Sequence, residues 1–96
     1  MVTEIAQIEV LDGTGEHFLT TLHDSIHLLE ETPGFMSIEI RRQVENDNIF
    51  YLLIDWVTLD AHLINFRNSD NFILWRKALG KFFKSDPVVR HIEAIL

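Results

Sequence analysis

Six consecutive apolar residues, Ile49-Phe50-Tyr51-Leu52-Leu53-Ile54, constrain this chain more than any other stretch. Their β-branched and aromatic content suits a strand, and successive strand side chains point to opposite faces. Both faces of this strand are therefore apolar, whereas a sheet with helices on one side and water on the other should alternate. A chain of 96 residues supports one modest core, and its two or three helices can cover only one sheet face. The uncovered face would expose on the order of several hundred Å² of apolar surface, more than a soluble monomer normally tolerates. A twofold partner packing sheet against sheet is the simplest remedy, so a homodimer is expected.

The remaining elements are readable around that strand. Residues 2–11 (VTEIAQIEVL) form a first strand ahead of an Asp12-Gly13 turn, with Ala6, Ile8 and Val10 on one side and Ile5, Gln7, Glu9 and Leu11 on the other. From Glu16 to Glu31, Phe18, Leu22, Ile26 and Leu29 recur at helical spacing with Leu19 beside them. Thr14 is placed to cap this helix and Pro33-Gly34 to end it. Strands over 35–43 and 49–57 flank the polar tetrad Glu45-Asn46-Asp47-Asn48, which suits a hairpin turn. Thr58 or Asp60 would cap a short helix with Leu59, Leu63 and Phe66 as its stripe. Ser69 or Asp70 would open another, with Phe72, Trp75 and Leu79 on one face, and residues 88–96 return to strand character. The order β-α-β-β-α-α-β is that of an α+β, ferredoxin-like fold: a four-stranded antiparallel sheet with helices on one face. With no linker or repeat, residues 1–96 read as a single domain.

Composition removes several function classes. Eight Lys and Arg against fifteen Asp and Glu give a net charge of −7, and the one basic doublet, Arg41-Arg42, faces opposite ways on its strand, so no nucleic-acid partner is expected. The absence of cysteine excludes disulfides, thiolate metal sites and cysteine nucleophiles. No apolar run is long enough to span a membrane, and the first residues lack a signal-peptide pattern, so a soluble cytoplasmic protein with no membrane partner is expected. There is no glycine-rich phosphate loop and no convincing His/carboxylate cluster, so neither organic cofactor nor metal is expected.

Histidines and aromatics are the candidate site residues. His62 falls about 60° from Leu59, at the edge of the short helix's apolar stripe. There it is either a base near neutral pH, able to take a proton from a phenol or an acidic C–H, or a boundary histidine bonded to backbone. His23 and His27 have metal-compatible spacing without a third ligand; His23 borders the stripe of its helix and is the second candidate base. Trp56, Phe66, Phe72, Trp75, Phe82 and Phe83 concentrate aromatic surface in the second half, as core or as the wall of a pocket. Tyr51 reads as a dimer-face side chain, and of Arg90 and His91 one must face the helices and the other the partner.

Pro33-Gly34-Phe35-Met36-Ser37-Ile38-Glu39, Asp55-Trp56, Thr58-Leu59-Asp60-Ala61-His62, Ser69-Asp70-Asn71-Phe72 and Val89-Arg90-His91-Ile92-Glu93 occur in an order and spacing that resembles the antibiotic biosynthesis monooxygenase family. The resemblance implies a dimeric α/β barrel that oxidises small phenols, anthrones or quinols with molecular oxygen, often without metal or flavin. Haem-degrading relatives use a tryptophan and a histidine that are not in place in Asn65-Phe66-Arg67-Asn68 and Phe72-Ile73-Leu74-Trp75-Arg76. The Trp56-to-Ser69 stretch is also one residue longer than usual in that family. A cofactor-independent enzyme acting on an aromatic substrate is the leading expectation, and a non-catalytic dimer binding an aromatic metabolite is the alternative. The expected pocket lies between the helices and the sheet, walled by Ala6, Ile8, Trp56, Phe66 and Trp75, with His62 and His23 as candidate bases.

Overall fold

The computed structural model describes residues 1–96 as β1 (Val2–Glu9), α1 (Gly15–Glu30), β2 (Phe35–Arg42), β3 (Ile49–Trp56), a π turn (Ala61–Phe66), α2 (Asp70–Leu79), a 3-10 turn (Gly80–Phe82) and β4 (Val88–Ile92). The four antiparallel strands pair in the order β2-β3-β1-β4, the arrangement of the ferredoxin-like α+β fold. Alternation along β1 and β3 buries Glu4, Ala6 and Ile8 together with Phe50, Leu52, Ile54 and Trp56 on the face that the helices cover. Ile5, Ile49, Tyr51 and Leu53 lie on the opposite, helix-free face. No helix is long and apolar enough to cross a membrane.

Several element ends differ from the sequence reading, each for a local reason. β1 is a ladder strand only to Glu9; Val10 makes a single bridge to Phe83, and the Leu11 amide donates to the Phe82 carbonyl at 2.9 Å. β4 stops at Ile92 because that residue already pairs with Thr3, one place from the start of β1, so residues 93–96 have no strand to join. Thr14 stands at the helix N-cap, but its hydroxyl donates to the Leu11 carbonyl at 2.6 Å and caps nothing. Ser69 does cap α2, accepting from the Phe72 amide at 3.2 Å. The buried face of α1 runs through Phe18, Leu22, Ser25, Leu28 and Leu29, leaving Ile26 only half-buried. This rotation carries His23 further towards solvent.

The largest departure is the short helix. It closes as a π turn, with the Arg67 amide donating to the His62 carbonyl at 3.1 Å, five residues back. Its buried residues are Ala61, His62 and Phe66, while Leu59 is exposed and Leu63 half-buried, so the expected Leu59-Leu63-Phe66 stripe does not form. The entry to the turn is pinned: Asn65 Nδ2 donates to the Pro33 carbonyl at 3.0 Å, and the Val57 amide to that of Gly34 at 2.8 Å. These anchors hold the Trp56–Ser69 segment against the residues just before β2 while it closes as a widened turn.

Gly34 makes this seat possible. Its φ of +93° is the left-handed region, and a Cβ there would sit 2.5 Å from the Ala61 Cβ. Gly34→Ala combines a positive-φ penalty with a clash against the π turn. It is expected to cost about 2–4 kcal/mol in urea unfolding, well above a surface substitution.

Candidate active site

A cavity of about 370 Å³ lies between the helix-facing side of the sheet and the helices. That volume falls within the range of small-molecule sites, roughly 300–1,000 Å³. Ala6, Ile8, Leu52 and Ile54 supply sheet residues, and Phe66, Phe72 and Trp75 supply aromatic ones from the π turn and α2. Phe66 meets Trp75 and Phe72 edge-on, with ring centroids 5.9 and 5.3 Å apart, so the aromatic wall is held rigid. Arg67, Arg76 and Asp86 are its exposed charged residues; Glu4 and His62 are its buried polar ones.

Those two buried groups belong to a connected cluster. Glu4 Oε1 accepts from Trp56 Nε1 at 3.0 Å and lies 3.3 Å from His62 Nε2. His62 Nδ1 in turn meets His91 Nε2 at 2.8 Å. The elements explain the meeting: Glu4 is opposite His91 in the β1–β4 register, and the π turn lowers His62 onto both. Trp56 stacks on the His62 ring at 5.3 Å with 14° between planes, fixing its orientation. No buried side-chain polar atom is left without a partner.

Burial sets the protonation of this cluster. It pushes the Glu4 carboxyl up to about 7, a rise that the Trp56 hydrogen bond and the Arg67 charge only partly oppose. Burial pushes His62 down to about 4, and the positive charge of Arg67 and the neighbouring His91 add to the effect. His91 is also lowered, by burial and then by Arg67. Near neutral pH the Glu4–His62 contact is thus a carboxyl–imidazole hydrogen bond and not an ion pair. The carboxyl, rather than the imidazole, titrates where a general base is useful.

The opposed shifts have a signature in stability. The raised pKa of Glu4 gives a contribution present below its ordinary value of 4.5 and lost as pH rises to about 7. The depressed pKa of His62 gives one present above its ordinary 6.5 and lost as pH falls to about 4. Between those ordinary values the folded chain carries a proton on Glu4 and the unfolded chain one on His62, so their slopes cancel. His62→Gln removes one side of the balance. Relative to the wild type, its urea midpoint is expected to fall as pH rises from about 4.5 to 6.5.

Ala6, Ile8, Phe66, Trp75 and His62 all line the cavity, but Trp56 and His23 do not. Trp56 is fully buried behind Glu4 and supports the site from outside the cavity wall. His23 is 85% exposed beside Asp24 on the solvent side of α1, which removes it as a base. His62 is placed in the site, yet burial makes it a poor proton acceptor, correcting the expectation of an imidazole titrating near neutral pH. His27 points to solvent, its Nδ1 against the Asp24 carbonyl at 2.9 Å, and no group of three His, Cys, Asp or Glu side chains is placed to hold a metal ion. Glu4 is the buried polar residue of the cavity that the sequence reading missed. Extending the Ala6-Ile8 alternation back by two residues would have placed a carboxylate on the core face.

A four-stranded ferredoxin-like sheet, roofed by helices over an apolar cavity with buried acid–base groups, defines an α+β protein with a cavity of small-molecule size. The family profile described as antibiotic biosynthesis monooxygenase matches residues 1–78, and the chain belongs to that family. It is similar to a Bordetella bronchiseptica crystal structure assigned to the same family, with 32% identity, a TM-score of 0.96 and coverage of 99% of this chain and 97% of that one. The Streptomyces nogalater protein SnoaB, described as a cofactor-independent oxygenase, shares the fold at 20% identity and a TM-score of 0.84, covering 99% and 93% of the two chains. A Bacillus subtilis protein described as uncharacterized, YczJ, is 24% identical over 95 residues, spanning 99% of this chain and all of its own.

Proposed function

We propose that this chain is a cofactor-independent monooxygenase that oxidises a small aromatic substrate, a phenol, anthrone or quinol, with molecular oxygen. The observation that carries the reading is a carboxyl titrating near 7 at the buried edge of an aromatic-walled cavity. Glu4 takes the proton of the phenol or of an acidic C–H, and the electron-rich anion reduces oxygen. One oxygen atom enters the product and the other leaves as water, made with the two hydrogens the substrate gives up. Arg67, whose charge reaches Glu4, His62 and His91, favours the anion over the neutral substrate. The family match and the oxygenase description of SnoaB support the same class of chemistry.

Oxygen uptake by the purified protein across a panel of quinols and anthrones tests the proposal. Substrate-dependent uptake, with label from isotopic oxygen in the product, is the expected result. Tight binding of the panel with no uptake would replace the enzyme by a module that binds an aromatic metabolite.

The proposal includes a homodimer formed through the helix-free sheet face. Ile5 and Leu53 lie there beside Val88 and Ile92, which are 44% and 54% exposed. A standard interface buries about 800 Å² per partner. Sedimentation at micromolar concentration should give a dimer, and Leu53→Asp should give a monomer; a wild-type monomer refutes the dimer.

A further inference from the structure

We propose that Glu4, His62 and His91 form a proton relay that connects the buried carboxyl to solvent at β4, by a path that does not pass through the substrate cavity. The catalytic use of the relay rests on Glu4 being the base, but its existence can be tested without any substrate.

Geometry supplies three observations. The contacts are continuous, Glu4 Oε1 to His62 Nε2 at 3.3 Å and His62 Nδ1 to His91 Nε2 at 2.8 Å, so both nitrogens of the central ring are engaged. The outer member lies elsewhere than the substrate: Glu4 and His62 line the cavity, whereas His91 does not and is partly exposed on an edge strand. The central ring also cannot turn freely, being 2% exposed and stacked on Trp56. Nε2 therefore stays on Glu4 and Nδ1 on His91, and a change of tautomer moves a proton through each of these two contacts.

Two arrangements satisfy every contact. In one, Glu4 is a carboxylate, His62 Nε2–H donates to it, and His91 Nε2–H donates to His62 Nδ1. In the other, Glu4 is a carboxylic acid donating to His62 Nε2, His62 Nδ1–H donates to His91 Nε2, and His91 carries its proton on Nδ1. The second becomes the first when Glu4 passes its proton to His62 Nε2, His62 passes the one on Nδ1 to His91 Nε2, and His91 releases its Nδ1 proton to water. One proton leaves, no bond other than N–H and O–H changes, and the carboxylate is ready for substrate. Trp56 Nε1–H donates to Glu4 in both arrangements. An apolar substrate filling the cavity would cut Glu4 off from bulk water, and a route through β4 would still let it ionise.

The charged and titratable groups around the relay are few. Arg67, from the end of the π turn, acts on all three members, and Arg76 of α2 and Asp86 are the other charged side chains lining the cavity. Arg67 favours the carboxylate arrangement.

Nitrogen-15 NMR of the imidazole rings reads tautomers directly and needs no substrate. Between about pH 5 and 9, His62 and His91 are expected to switch together from Nδ1–H to Nε2–H, at one midpoint. In Glu4→Gln the joint switch should be lost, and in His91→Ala the His62 switch should be lost and then restored by added imidazole. Histidines that keep one tautomer throughout, or that switch at separate midpoints, would overturn the relay. So would a joint switch that persists in Glu4→Gln. Oxygen uptake that fails while the joint switch is present would instead refute the proposed activity and leave the relay standing.

Discussion

Glu4→Gln should lower the turnover number for oxygen uptake by about 10²–10⁴-fold, the usual contribution of a positioned base. Gln keeps the shape of the side chain and an oxygen for Trp56 Nε1, which donates at 3.0 Å, so packing around the site should survive. The Michaelis constant should change little, because the apolar walls that bind the substrate are untouched. In the wild type, activity should rise as pH passes about 7, where the Glu4 carboxyl ionises, and then level off. Glu4→Gln should lack that rise. Initial rates over a pH series, with melting curves to establish that the variant is folded, make the comparison. A folded variant with rates near wild type would remove Glu4 from the chemistry.

Trp56→Ala should cost about 3–5 kcal/mol in urea unfolding, the cost typical of emptying a buried aromatic position. The indole is fully buried, packs edge-on against Phe35 with centroids 5.8 Å apart, and stacks on His62. Its removal also deprives Glu4 of a donor and leaves a buried carboxyl poorly satisfied. Against a total stability of about 5–15 kcal/mol for a domain, the loss is large. Trp56→Phe should recover most of the packing but not the hydrogen bond. The activity rise near neutral pH should then move upward, since the donor that holds the Glu4 pKa down is gone. A Trp56→Ala midpoint close to wild type would show that the stack on His62 carries little of the fold.

Much of the scaffold was legible because its signals are local. The alternation of β1, the polar tetrad between β2 and β3, and the Ser69 cap each act within a few residues, and each is found in the structure. Long-range pairing was not legible. That β4 ends at Ile92 follows from where β1 begins, and that His91 and not Arg90 faces the helices follows from register with Glu4. The site was half-readable: spacing led to Phe66 and Trp75, and placed His62 near the apolar side. An α-helical wheel could not anticipate that a widened turn would bury His62 completely, nor that Glu4 would be its partner. His23 misled for a related reason. The face of α1 is set by Ser25 and Leu28 as well as by the larger residues, and this turns His23 outward.

The widened turn at Ala61–Phe66 makes chain length, and not only residue identity, a determinant of what chemistry this scaffold offers. A chain one residue shorter between Trp56 and Ser69 would close the same segment as an ordinary α turn. Side chains after the shortened point, Phe66 among them, would then be displaced by about 100° around the axis, and Phe66 would no longer meet Trp56 and His62 as it does here. The sheet and α1, which precede the connection or pair without it, would be left in place. A single-codon insertion or deletion in this connection therefore reshapes the cavity wall of one fold more abruptly than point substitution at the cavity surface does.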